Sequence, residues 1–127
     1  MIAFRVGQHW QREEVSATGP RDEFALELEG LNLLPGANDE PLAKTVLNLA
    51  EAVVALVDGE RAGQVSLEHL ELCFWRTRGV EVALSVIELS QPPKQLRAPV
   101  TIELPALVDA TVACARAFLR DMTKHRA

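Results

Sequence analysis

Apolar residues along this chain follow two different periods, and the order of those periods constrains the fold more than any other feature. Period-two alternation, which is typical of half-buried strands, occurs in residues 2–6, 24–28, 70–75, 80–86 and 100–104. Helical spacing occurs in residues 42–57 and 105–122. The order β-β-α-β-β-β-α predicts an α+β two-layer sandwich, in which an antiparallel sheet of about five strands carries both helices on one face.

Proline and glycine mark the ends of these segments. Pro41 and Pro105 suit the first turn of the two predicted helices, where a missing N–H costs nothing. Gly59 is placed to end the first helix. Gly79 is available for the positive φ of a tight hairpin between the third and fourth strands.

The totals predict one domain, residues 1–127, in the cytoplasm. A chain of 127 residues is long enough to bury a core without disulfides, and the two cysteines are too few for a secreted disulfide framework. The first ten residues lack the basic start and apolar centre of a signal peptide. The longest apolar runs are shorter than a membrane span, so we expect no membrane contact.

Charge is distributed unevenly along the sequence. Residues 1–63 hold five basic and eleven acidic side chains, whereas residues 64–127 hold eight basic and seven acidic ones. An acidic half repels phosphate backbones, which argues against nucleic acid as a partner. A basic protein is the partner that this charge favours, although acidity also serves solubility.

Residues 69–89 raise the question of catalysis, because His69, Glu71, Cys73 and Trp75 share one strand face if the pleat is regular. Same-face neighbours on one strand lie about 6.6 Å apart. A nucleophile needs its base within about 3 Å, so this face does not supply a Cys–His pair by itself. We expect no catalytic residues.

A metal site is not expected either. The candidate ligands are scattered along the sequence: His9, His69, Cys73, Cys114 and His125. No CxxC or HExxH spacing occurs among them. No glycine-rich phosphate loop or GxSxG turn is present, and we expect no cofactor.

Five residues are the predicted contacts with a protein partner. Trp75 and Glu71 fall on the strand face away from the helices, and Trp10 is the second tryptophan, a residue type enriched at interfaces. Glu13 and Glu14 lie in a predicted polar loop, where adjacent carboxylates contribute to a negative surface that steers a basic partner.

The layout from Leu42 to Met122 resembles small bacterial immunity proteins that neutralise cognate polymorphic toxins, the WapI-type group among them. The similarity rests on an amphipathic helix, "PLAKTVLNLAEAVVALVDGE", on the paired strands of "VSLEHLELCFWRTRGVEVALSVIEL", and on a strand that runs into a helix, "VTIELPALVDATVACARAFLRDM". The resemblance implies a non-enzymatic protein that blocks a toxin by binding it. It transfers no binding residue, because no motif is shared.

Two other functions stay open at this point. One is a structural or accessory domain that associates with itself as a homodimer, through the uncovered sheet face or an edge strand. The other is a small enzyme whose site the sequence does not reveal.

Overall fold

The computed structural model describes residues 1–12 and 19–126. Over these ranges the strands, in chain order, are β1 (Ile2–Val6), β2 (Arg21–Asp22), β3 (Phe24–Leu28), β4 (Leu31–Asn32), β5 (Glu40–Pro41), β6 (Ala62–Ser66), β7 (Leu70–Arg76), β8 (Glu81–Glu88), β9 (Lys94–Gln95) and β10 (Val100–Glu103). The helices over the same ranges are α1 (Leu42–Val57) and α2 (Leu104–Arg126), and a 3-10 helix (His9–Arg12) follows β1.

The main sheet contains five antiparallel strands in the order β10-β8-β7-β6, with β9 paired to β8. Its centre is the β7–β8 hairpin, in which Trp75 lies opposite Ala83. Gly79 takes a φ of 54° in the connecting turn, as its place in the sequence predicts. The predicted fold class, α+β with an antiparallel sheet of five strands and two helices, is confirmed.

The membership of the sheets differs from the expectation. The two N-terminal strands do not join the main sheet; they form a separate sheet in the order β1-β3-β4. Their two places in the main sheet are taken by β6, a strand that the sequence pattern did not indicate, and by the short β9. A two-stranded ladder of β2 and β5 links the N-terminal region to the start of α1.

Both helices bury one stripe in a common core. The buried side chains of α1 include those at the predicted helical spacing: Leu42, Val46, Leu49, Val53 and Leu56. This stripe packs on β6, where Gly63 lies against Ala52; a Cβ added at Gly63 would make an ordinary contact, 3.4 Å from the Ala52 carbonyl oxygen. Helix α2 packs against β1 and against α1. The main sheet is therefore covered on one face.

Asp22 holds the N-terminal segment together from a buried position. Its carboxylate accepts the N–H of Trp10 at 2.9 Å and the N–H of Glu23 at 2.7 Å. Burial acts to raise the pKa of this carboxyl, but the two N–H donors and nearby His9 outweigh it, so the pKa lies below its ordinary value. Gly7 lies directly against the Asp22 side chain and donates its N–H to the Glu23 carbonyl oxygen at 2.8 Å.

Neither helix in the described part of the chain has the length and apolar character that crossing a membrane requires.

Candidate functional site

The main sheet has one uncovered face, which is the candidate site. We call it the open sheet face and define it by the side chains that alternate with the buried ones on four strands: Gln64, Glu71, Cys73, Trp75, Glu81, Ala83, Ser85, Ile87, Thr101 and Glu103. The opposite, inward side chains of the same strands are buried in the core, Leu72, Phe74 and Leu84 among them. Alternation thus places a second set of residues on the other face. Most of them are half-buried or exposed, whereas Ala83 and Ser85 are buried.

The centre of the open sheet face is apolar. Trp75 is half-buried and lies opposite Ala83, which is only 4% exposed. Ile87, also half-buried, lies opposite Glu71, four residues along the same strand pair. A flat aromatic ring beside small side chains gives a partner a surface on which to pack, as tryptophan does at interface hot spots.

Three carboxylates surround this centre: Glu71, Glu81 and Glu103. Glu81 and Glu103 are direct cross-strand neighbours on β8 and β10. Like charges at such positions repel and are destabilising. Arg78 approaches Glu81 at 3.6 Å from the turn, but Glu103 is exposed and forms no ion pair within residues 1–12 and 19–126. The face is therefore one on which an added positive charge is favourable.

The four residues that raised the question of catalysis do not form a catalytic group. β7 begins at Leu70, so His69 lies in the preceding turn, exposed, and only Glu71, Cys73 and Trp75 follow the pleat. The Cys73 Sγ donates to Glu71 Oε1 at 3.5 Å. Partial burial, together with this carboxylate, raises the pKa of Cys73 to about 11. A nucleophilic thiol needs the opposite shift, toward the thiolate.

Cys73 is expected to react slowly with iodoacetamide at pH 7. A pKa moved from the ordinary 9.0 to about 11 lowers the thiolate fraction about 100-fold. The labelling rate should rise about tenfold per pH unit up to pH 10. Peptide mapping measures the rate at Cys73 separately from the rate at buried Cys114. Glu71→Gln removes the neighbouring charge and should speed labelling. Rapid labelling of the original chain at pH 7 would contradict this account.

Ser85 lies beside Cys73 across the hairpin, at the centre of the open sheet face. Its side chain is 6% exposed, and its Oγ has no hydrogen-bond partner among the residues that the structure describes. An unpaired buried hydroxyl carries a cost of about 1–3 kcal/mol. The hydroxyl does not contact His69 or any carboxylate, so it adds no catalytic arrangement to this face.

Trp10 occupies a different place from the one expected of a partner contact. It is 2% exposed and packs on Phe118 of α2, with ring centroids 6.0 Å apart, and on His125 at 5.3 Å. Its side chain is thus part of the core, and it is not offered to a partner. The sequence suggested Trp10 as a contact only by its residue type, because the 3-10 helix that turns it inward is too short to show a period.

The other four predicted partner contacts form two pairs. Trp75 and Glu71 lie together on the open sheet face, as the alternation predicted. Glu13 and Glu14 lie outside the described residues. Neither Glu81 nor Glu103 was selected from the sequence. Alternation along each strand puts both on this face, but this can be recognised only once the pairing of β8 with β10 is known.

The ionisable residues of the described ranges offer no group of three or more His, Cys, Asp or Glu side chains arranged to hold a metal ion.

No protein-family model, curated protein sequence or solved structure matches this chain. The function is therefore argued from the geometry of the chain itself.

Proposed function

We propose that this chain is a non-enzymatic protein-binding module and that the open sheet face binds a basic protein. The observation that carries the proposal is the placement of Glu81 directly opposite Glu103, beside the half-buried Trp75. Arg78 and Thr77 contact the Glu81 carboxylate. Glu103, however, has no ion-pair partner among the described residues, and the Trp75 ring is only partly covered. A partner that brings lysine or arginine side chains and an apolar patch relieves the repulsion and covers the tryptophan ring.

The charge of the face sets the class of partner. Glu71, Glu81 and Glu103 repel the phosphates of a nucleic acid. Complementary charge across an interface raises the rate of association and weakens with salt. We therefore expect the affinity for the partner to fall as ionic strength rises.

An immunity protein is the specific form of this function that we propose, with the partner a basic toxin domain. A domain that acts on nucleic acid presents a basic surface, and an acidic face with an aromatic centre is complementary to it. The binding takes place in the cytoplasm under this proposal, where the thiols of Cys73 and Cys114 stay reduced. It requires no cofactor, because neutralisation by binding involves no chemical step.

The test is a comparison of three variants with the original chain. Trp75→Ser removes the aromatic centre, Glu103→Arg reverses one charge of the rim, and Glu23→Arg makes the same charge change at an exposed position between β2 and β3, outside the main sheet. Each is immobilised and exposed to host lysate. Any protein that the original chain retains is purified and titrated by calorimetry at low and high salt.

We expect a basic protein that binds the original chain and Glu23→Arg alike. Trp75→Ser should weaken it about 30-fold or more, as at an interface hot spot, and Glu103→Arg should also weaken it. Glu103→Arg is not expected to impair folding, because it turns a repulsive cross-strand pair into an attractive one. Equal binding to all four chains, or no captured protein at all, would count against the proposal.

A growth experiment tests the proposal that this chain is an immunity protein. The protein encoded beside this chain in its genome is expressed with and without it, and growth is recorded. Protection by the original chain and loss of protection by Trp75→Ser together support immunity. Harmless expression of the neighbour without this chain would refute this specific form, while leaving binding to be judged by calorimetry.

A further inference from the structure

The outer surface of the two helices carries a second apolar region, separate from the core. A groove of about 310 Å³ runs between α1 and α2. Its walls are apolar: Ala50, Val54 and Val57 on α1, and Val108, Val112 and Ala115 on α2. The groove lies on the side of the helices opposite the main sheet, so it takes no part in covering the sheet.

Large apolar side chains are unusually exposed along this groove. Five of the nine exposed large hydrophobic residues in the described ranges belong to these two helices: Leu47 (58%), Val54 (57%), Val57 (55%), Val112 (40%) and Leu119 (64%). Scattered exposed residues are ordinary, but a contiguous exposed patch on a helix pair marks an interaction surface. The core accounts for only part of it: on α2 Val108, Ala115 and Met122 pack partly against the core, whereas the exposed residues of α1 lie outside it.

The spacing of this second stripe is that of helix-to-helix packing. On α1 it alternates steps of four and three: Ala43, Leu47, Ala50, Val54 and Val57. On α2 it repeats the same steps: Val108, Val112, Ala115, Leu119 and Met122. A repeat averaging 3.5 residues keeps one seam directed at a partner helix along its length. The surface is thus suited to other helices rather than to an extended peptide.

The charges beside the groove differ between its two sides. Glu51 and Asp58 are exposed on α1, each one position after a groove residue. Arg116 and Arg120 are exposed along α2. Glu51, Asp58 and Arg116 form no ion pair within the part of the chain that the structure describes, and Arg120 lies 3.8 Å from its neighbour Asp121.

The two remaining charges near the seams have the opposite signs, Lys44 on α1 and Asp109 on α2. Lys44 precedes the groove residues of α1, whereas Asp109 lies beside Val108 within the groove-lining part of α2. With these charges included, the α1 side of the groove is still net acidic and the α2 side net basic.

We infer that a second copy of this chain docks on this groove, with α1 of each copy across from α2 of the other, to form a two-fold symmetric homodimer. A two-fold axis brings the acidic side of one copy to the basic side of its partner twice, which satisfies both sets of charges with one contact. A different protein would have to carry the same alternation of charge independently, whereas a second copy has it by symmetry.

The size of the surface sets the expected strength. At 1.5 Å per residue the 16 residues of α1 are about 24 Å long, and two helices side by side are about 20 Å wide. The area given by this length and width is smaller than the roughly 800 Å² that each partner buries in a standard interface. We therefore expect a dimer with a dissociation constant in the micromolar range, about 1–10 μM.

The first experiment measures mass by sedimentation over a concentration series. The original chain is expected to pass from monomer to dimer in the micromolar range. Val54→Glu and Val112→Glu should each raise the dissociation constant about 30-fold or more. Leu89→Glu is the matched control, since Leu89 is 47% exposed just after β8 and its N–H donates to the His69 carbonyl oxygen, and this variant should dimerise like the original chain.

The second experiment tests the arrangement itself. One chain carries Glu51→Arg with Asp58→Arg, and the other carries Arg116→Glu with Arg120→Glu. Each alone sets like charges against each other and should be monomeric, whereas an equal mixture should form a heterodimer. Circular dichroism checks that both are folded, since all four positions are exposed.

A monomeric original chain up to about 100 μM would overturn the inference, and so would a dimer that Val54→Glu and Val112→Glu leave intact. A mixture that stays monomeric while the original chain dimerises would exclude the pairing of α1 with α2. None of these results bears on the open sheet face, whose partner is tested by Trp75→Ser.

Discussion

Replacing Trp10 by alanine is expected to lower the free energy of unfolding by about 3–5 kcal/mol, which is typical of a large aromatic residue removed from a core. Trp10 is 2% exposed and contacts Phe118 near the end of α2. Its loss leaves a cavity between the 3-10 helix and α2 that the surrounding backbone cannot close. Urea unfolding followed by circular dichroism measures the change.

Trp75→Ala is the matched control for that experiment. Trp75 is half-buried on the open sheet face, so its truncation should cost only about 1–2 kcal/mol. The same chemical change is therefore made once in the core, at Trp10, and once at the surface, at Trp75. An equal loss of unfolding free energy in the two variants would show that Trp10 is not packed in the core.

Gly7→Ala is expected to destabilise the chain by about 3 kcal/mol. A Cβ at this position would lie only 2.5 Å from Asp22 Cγ, nearer than real Cβ atoms approach. The carboxylate cannot simply move away, because it accepts the N–H groups of Trp10 and Glu23. The substitution therefore combines overpacking with weakened buried hydrogen bonds, each worth about 1–3 kcal/mol.

Gly63→Ala makes the same chemical change in β6 without the clash. Its added Cβ would lie 3.4 Å from the Ala52 carbonyl oxygen, an ordinary contact, and alanine suits a strand better than glycine. We expect its unfolding free energy to stay within about 1 kcal/mol of the original. Thermal unfolding of both variants decides the matter: a Gly7→Ala chain as stable as Gly63→Ala would mean that Asp22 does not hold the N-terminal segment in place.

The helices and the hairpin could be predicted because their signals are local. Helix α1 shows a clean helical period between Pro41 and Gly59, and the strands around Gly79 alternate without interruption. β6 was missed because its burial is slight; Val65 is its one fully buried residue, and Gly63 with Gln64 resembles a turn. The division into two sheets depends on strand pairing between distant segments, which the period of any one strand does not record.

The candidate site was predictable to the same degree. The parity of β7 placed Trp75 and Glu71 on one face, and the structure places them there. Glu103 joins them only through the register of β10 with β8, a contact between segments about twenty residues apart. The groove was hidden for another reason: helix α2 has a wide apolar stripe, and a single sequence does not tell which part of such a stripe meets the core and which part meets water.

Because helices cover only one face of the main sheet, the position of the open face determines how many ligands a dimer of this chain binds. Helices pack on its inner side, so a dimer joined through α1 and α2 has its two copies of Trp75 on the far sides of the assembly, directed away from each other. One compact ligand cannot reach both. The assembly then takes up two ligands independently, in a two-to-two ratio and without avidity, whereas a ligand with two linked copies of its own basic patch would cross-link assemblies into chains.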